Sequence, residues 1–235
     1  MRAAEATLGG MSFLYEEKAS ASPIVDVVWR TFDTSDGTYL AAADACWDLI
    51  FTRTPTGSRV LLSGPTSRPT AVPYHAGNRN IGIRFTRGTY FTHVEPRSMC
   101  DRTITLPMPE AERFELAGHR WSMPDYERID ELLEGFSARG LLAHDPVIDA
   151  VLHGDDTSVS QRSVQRHFTR VTGQSPQHVR QIERAREAVA RLRTGESIAD
   201  VAYSLGFADQ SHLTRDVKRL TGYTPAESKR RDEPV

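Results

Sequence analysis

"SIADVAYSLGFADQSHLTRDVKRLTGYTP", residues 197–225, is the stretch on which the fold turns. Apolar Ile198, Val201, Ala202 and Leu205 recur at helical spacing behind Ser197, a good N-cap. A second stripe, Leu213, Val217 and Leu220, follows Asp209, which caps equally well. Between them stands Gly206, suited to the positive φ that stops a helix, with Phe207 to plug the corner. Ala202 is small where a second helix crosses closely. Two short helices joined by so tight a turn predict a helix-turn-helix, its second helix standing out from the body.

At about 100° per residue, Ser211, Thr214, Arg215 and Lys218 fall opposite the buried stripe of that second helix, with Gln210 at its edge. Arg pairs bidentately with guanine O6 and N7, and Gln with adenine N6 and N7. Lys218, Arg219 and Thr214 suit phosphate oxygens, which give affinity without sequence information. An ordinary antiparallel helix pair with a solvated polar face fits the same pattern, so the weight comes from what surrounds it.

The device occurs twice. "SVQRHFTRVTGQSP" (163–176) aligns without gaps on "HLTRDVKRLTGYTP" (212–225). Arg166 meets Arg215, Arg170 meets Arg219, Thr172-Gly173 meets Thr221-Gly222, and Pro176 meets Pro225. Val164, Phe168 and Val171 take the places of Leu213, Val217 and Leu220, one buried helix face. The first copy begins at Ser160 and presents Arg162, Gln165, Arg166 and Thr169 opposite that face. Its leading helix is missing, because only "DDTS" (155–158) separates "VLHG" from "VSQRS". Ser175 as N-cap, Pro176 at the first helical position and Gly195 beyond the end delimit a long helix over 176–193 between the units. "PVIDAVLHG" is a shorter helix closed by Gly154.

Upstream the period changes. "IVDVVWRTF", "CWDLIFTR", "RVLLSG" and "IGIRFTRG" are short runs of β-branched and aromatic residues, separated by turn stretches such as "TPTGS" and "HAGNRN". Residues 11–107 therefore read as a β-rich barrel or sandwich, 108–145 as a helical connector, and 146–230 as an all-α double helix-turn-helix domain with a truncated first unit. The helical spacing of the connector is clearest at Ile129, Leu132, Leu133 and Phe136. The whole is an α+β two-domain chain.

Charge divides the same way. Residues 157–235 hold 14 Lys and Arg against 9 Asp and Glu, whereas residues 1–156 hold 15 against 22. A basic rear behind an acidic front points to a polyanionic partner for the rear and predicts salt-dependent duplex binding by 146–235. With 39% hydrophobic and 26% charged residues, the composition is that of a soluble globular protein, and no apolar run reaches a membrane span of roughly 18 residues. The start "MRAAEATLGGMSF" (1–13) lacks a signal-peptide core, so a cytoplasmic protein is expected. Cys46 and Cys100 have no metal-ligand spacing and read as reduced thiols.

"GFADQSHLTRDVKRLTGYTP" resembles the second helix-turn-helix of AraC-family transcriptional regulators, and "VSQRSVQRHFTRVTGQSP" the recognition helix of the first. The resemblance covers 146–230. It implies a sequence-specific transcription regulator that reads duplex DNA with helices 161–171 and 209–220. Base-reading roles carry over onto Arg162, Gln165, Arg166, Ser211 and Arg215, with Thr169, Gln210, Thr214 and Lys218 beside them. The missing supporting helix departs from the family pattern and bears on how 161–171 docks. "ADACWDLIF" and "GNRNIGIRFTRG" more loosely resemble the β-rich domain that precedes this module in some bacterial members. For that domain the resemblance implies sensing of a small-molecule effector or homodimerisation, and for the chain a contact with RNA polymerase.

Catalysis and cofactors find little footing. His75, His93, His119, His144 and His153 are scattered, and only His75, His93 and Glu95 offer ligands for a cupin-like metal site by convergence in space. "ADACWDLIF" places Asp44, Cys46 and Asp48 on one strand face with Trp47 and Leu49 on the other, either a thiol–carboxylate site or, better, a half-buried strand. Neither a phosphate-binding P-loop nor a nucleophile elbow is present. The reading is of a non-enzymatic protein without metal or cofactor. Its rivals are a ligand-binding or enzymatic β-barrel carrying a degenerate DNA-binding or protein-interaction module, and a binder without sequence preference.

Overall fold

The computed structural model describes residues 13–230 together with the backbone of residues 3–4, 7–8 and 11–12. The expectation drawn from residues 1–13 rests mostly on residues outside the described ones. The front domain comprises β1 (Ala3–Ala4), β2 (Thr7–Leu8), β3 (Met11–Lys18), β4 (Val25–Asp33), β5 (Gly37–Ala41), β6 (Asp48–Thr54), β7 (Gly57–Ser63) and β8 (Thr70–Tyr74). β9 (Arg79–Phe85), β10 (Thr89–Phe91), β11 (Thr103–Thr105), β12 (Arg113–Leu116), β13 (His119–Ser122), α1 (Ile129–Ala138) and β14 (Leu142–His144) complete it. The helical module follows as α2 (Pro146–His153), α3 (Gln161–Thr172), α4 (Pro176–Arg193), α5 (Ile198–Ser204), α6 (Gln210–Thr221) and α7 (Pro225–Lys229).

An antiparallel sheet ordered β1-β3-β4-β9-β6-β7-β11, with β2 also paired to β3, is the frame of the front domain. Alternation of side chains along a strand gives this sheet two different faces. Val28, Leu49, Phe51, Val60, Leu62, Ile83 and Phe85 stand in register on one face and form a core with Phe114, Ile129, Leu133 and Phe136. Trp29, Thr31, Ile50, Thr52, Asn80 and Arg84 point the other way, toward the separate β5–β8 pair. The antiparallel frame with one covered apolar face agrees with the β-rich reading of 11–107.

Two local expectations fail. Residues 113–122 of the connector are a β-hairpin, β12–β13, turning at Ala117 (φ 53°) and Gly118 (φ 74°). Phe114 and Leu116 alternate with polar neighbours at period two, and the helical period begins only with α1. Asp44 through Trp47 are also not a strand: β6 begins at Asp48, and Ala45 takes a φ of 54°. The cause lies in the helical module. Ala43 and Ala45 leave the sheet to enter its core, and the Ala43 N–H donates to Leu220 O at 2.8 Å.

That second core gathers Phe168, Val171, Val179, Ile182, Ala185, Val189, Leu192, Val201, Leu213, Val217 and Leu220, from α3 to α6, around Ile148 of α2. Among the described residues no helix is long and apolar enough to cross a membrane.

Candidate nucleic-acid interface

Each recognition-type helix is fixed at both ends by its own sequence. The Asp209 carboxylate accepts from the His212 N–H at 2.6 Å, and the Ser160 hydroxyl accepts from the Ser163 N–H at 3.3 Å. Thr221 Oγ1 donates to Val217 O and Thr172 Oγ1 to Phe168 O, both at 2.8 Å, ahead of left-handed Gly222 and Gly173. The gapless repeat in sequence is therefore also a repeat of capping chemistry.

In the second unit α5 and α6 meet at Gly206 (φ 70°), where the left-handed turn favours glycine, and Phe207 is buried in the corner. The buried Asp216 carboxylate ties α6 to α4: Arg184 Nη2 lies 3.4 Å away, Arg219 Nη2 3.0 Å and His212 Nε2 3.4 Å. Gln210, Ser211, Arg215 and Lys218 are left exposed on the outer face, with Thr214 half-buried at its margin. Arg215 Nε donates to Ser211 O at 3.3 Å, within its own helix. Arg219, expected to suit a phosphate, is instead committed to Asp216 and to Gln181 Oε1.

The first unit is built differently. Residues 155–160 contain no helix, so α3 lacks the supporting helix that α5 provides for α6. Asp145, the N-cap of α2, takes over part of the role. Its Oδ1 accepts from the Val147 N–H, and its Oδ2 pairs with His167 Nδ1 at 2.7 Å and Arg170 Nη2 at 2.5 Å. Arg170 also lies over the Tyr90 ring and donates to its hydroxyl at 2.9 Å. Arg162, Gln165 and Arg166 are exposed, and Thr169 is half-buried under a 3.1 Å bond from Gln165. The structure thus brings the predicted residues onto one outward face per helix. Sequence reasoning missed Asp145, His167, Arg170 and Tyr90; the polar His167–Arg170 pair at i, i+3 was the available signal.

A cavity of about 130 Å³ lies between the second face of the sheet and the β5–β8 pair. Its walls include Phe13, Trp29, Tyr39, Ile50, Val72 and Tyr74, and its polar lining includes Asp33, Arg59, Asn78 and Asn80 with Arg84 from β9 and Arg186 from α4. Arg84 sits 3.3 Å from Asp44 and 3.4 Å from Asp48, and Arg87 pairs with Glu183 of α4. Burial works against the Arg84 charge, but Asp48 and Asp44 outweigh it and raise its pKa. The Arg186 pKa is lowered by burial and by the nearby Arg84 and Arg87. Burial pushes the Asp48 carboxyl up to about 7 and the Cys46 thiol up to about 12, which makes Cys46 a poor nucleophile. Arg186 Nη1 and Tyr74 Oη are buried without a hydrogen-bond partner. His75 lies 3.6 Å from Asp36 and His93 packs edge-on against Phe91; among the described residues no three of His, Cys, Asp and Glu gather as a metal requires.

Residues 154–231 match the family model of a helix-turn-helix domain. An HTH-type transcriptional regulator, RipA of Corynebacterium glutamicum, is 43% identical over 68 residues, 29% of this chain and 20% of RipA. The chain thus matches only a fifth of that relative's length. ToxT of Vibrio cholerae has a structure similar over 93% of this chain and 99% of its own, with a TM-score of 0.47 and 12% identity. A structure of ToxT bound to (E)-4-(8-methylnaphthalen-1-yl)but-3-enoic acid is similar over 91% and 97%, with a TM-score of 0.47 and 13% identity. Residues 154–231 are thus a helix-turn-helix domain.

Proposed function

We propose that this chain is a sequence-specific transcription regulator that reads two adjacent major grooves with α3 and α6. One observation carries the reading: two helices related by an internal repeat each present an arginine-bearing face that no packing explains. Arg166 and Arg215 hold equivalent places in the repeat, and neither has an ion-pair partner among the described residues. Arg162, Gln165 and Arg166 on α3, and Gln210, Ser211 and Arg215 on α6, would meet base edges; Thr169, Thr214 and Lys218 would meet phosphates. No catalytic residue belongs to this reading. The domain limits follow the same logic, with 11–145 as the sensing part and 146–230 as the reading part.

Binding-site selection on the full chain and on three variants tests it. Arg215→Ala and Arg166→Ala should each cost roughly 1–3 kcal/mol and relax the preference at one position, whereas Lys218→Ala should weaken all sequences alike. The 18 residues of α4 span about 27 Å at 1.5 Å per residue, so the two positions should lie about one helical turn apart. An unchanged preference in Arg215→Ala would mean that α6 does not read sequence.

The cavity supports a second element, an organic anion as effector. Arg186 Nη1 and Tyr74 Oη are buried donors without partners beside aromatic walls, and such groups are costly unless something accepts from them. A carboxylate on an apolar body meets both demands. Thermal shift with a panel of small organic acids should find stabilising members, and Arg186→Met should abolish the shift. RNA polymerase and a second copy of the chain are further partners on this reading, to be sought by pull-down and sedimentation on duplex DNA.

A further inference from the structure

In an ordinary helix-turn-helix the supporting helix crosses the phosphate backbone while the recognition helix enters the groove. Here that place beside α3 is taken by the front domain. The single turn Pro96–Met99 packs against α3, with Pro96 and Met99 buried. The fit is tight at Gly173, the left-handed cap of α3: a Cβ there would stand 2.5 Å from Cys100 Cβ. Nearby, His178 Nε2 of α4 lies 3.0 Å from Ser67 O, and Arg170 reaches Tyr90.

On its solvent side this junction leaves an open groove. One wall is the turn, with Glu95 and Arg97; the other is α3, with Ser163, Arg166, His167 and Arg170. Arg97 and Arg166 are exposed and make no ion pair among the described residues, while Arg170 is bound to Asp145. Glu95 is the one carboxylate of the groove. Arg166 belongs to the outward face of α3, so a helix seated in the major groove would bring the flanking phosphate ridge alongside this channel.

We propose that the front domain is part of the DNA interface, with Arg97 contacting a backbone phosphate next to α3 in place of the missing supporting helix. The proposal rests on the reading of α3 as a DNA-binding helix. Arg97 carries no base information in this role, because a phosphate contact fixes position and adds affinity only. Glu95 opposes the same phosphate through charge repulsion.

The test uses the full chain and a duplex obtained by selection, titrated at several salt concentrations. Arg97→Ala should weaken binding to every sequence alike and lower the salt slope by about one phosphate's worth, which is roughly three- to fourfold in affinity between 50 and 200 mM salt. Glu95→Gln should tighten binding, a gain that damage to the fold would not produce. Arg166→Ala should change base preference, which Arg97→Ala leaves intact. Wild-type affinity and salt slope in both Arg97→Ala and Arg97→Glu would overturn the proposal. Absence of salt-dependent binding in the unaltered chain would instead overturn the DNA reading beneath it.

Discussion

Replacing Asp145 is the sharpest probe of how α3 is held. Asp145→Ala removes three bonds at once: the N-cap to Val147 and the pairs with His167 and Arg170. The cap is worth about 1 kcal/mol. A hydrogen bond to a charged group contributes about 1.5–3 kcal/mol when well buried. His167 and Arg170 are 30% and 48% exposed, so solvent screening brings each closer to about 1 kcal/mol. The expected loss is then about 3 kcal/mol. Asp145→Asn keeps a competent cap and the shape of the side chain while removing the charge, so it should cost about half as much. Urea denaturation of the full chain, followed by circular dichroism, measures both. On the proposed reading, the accompanying loss of DNA affinity should be confined to the half-site assigned to α3. Equal costs for the two variants, or a change within about 0.5 kcal/mol for Asp145→Ala, would refute the view that this carboxylate anchors α3.

Three further outcomes follow from particular groups. Gly206→Ala has open space for its Cβ but a φ of 70°, so it should destabilise by about 1–2 kcal/mol through the backbone alone, read as a lowered Tm. The folded-state pKa of Asp48 is raised by burial to about 7, so its contribution to stability is present at low pH and lost as pH rises through that value. Asp48→Asn should therefore gain stability relative to the parent as pH rises from about 4 to about 7, with a constant difference above that, and a pH-independent difference would contradict the assignment. Cys46, with its thiol pushed up to about 12, should resist iodoacetamide at pH 8 in the native protein and react in urea; rapid native alkylation would show that the segment opens.

What was legible in the sequence was local. The caps at Ser160, Ser175, Ser197 and Asp209, the stop at Gly206 and the stripes of α3, α4 and α6 all depend on residues within a few positions of each other. Such signals survive in one dimension because a helix satisfies its own backbone and shows its buried face by spacing. The failures had opposite causes. The β12–β13 hairpin lay in a stretch where the period changes, and the helical pattern of α1 was extended over it. Ala43–Trp47 kept strand composition but was pulled from the sheet by a partner, Leu220, far along the chain. The partners that organise the interface could not be paired from sequence for the same reason, although His167 and Arg170 share a helix face. Asp145 meets His167 and Arg170 across 22 and 25 positions, and His178 meets Ser67 across 111. No spacing rule links residues so far apart.

The His178–Ser67 contact is one of several that converge on α4. One side of this helix holds α6, through Arg184 on Asp216 and Gln181 on Arg219. Another holds the front domain, through His178 on Ser67, Glu183 on Arg87 and Arg186 at the end of the cavity. Arg186 is the costly member, since its charge is buried beside two other guanidinium groups and one of its nitrogens has no partner. An anion entering the cavity would offset that cost only in the docked arrangement of the two domains, because Arg84 and Arg186 come from opposite sides of the junction. On the proposed reading, such a ligand binds one arrangement better than any other, and this difference alone allows it to shift an equilibrium. The same docking carries the Pro96–Met99 turn and Arg97 to α3. An effector that stabilises it would then strengthen the DNA contact at the first half-site, and DNA would by linkage strengthen the effector's binding by the same factor.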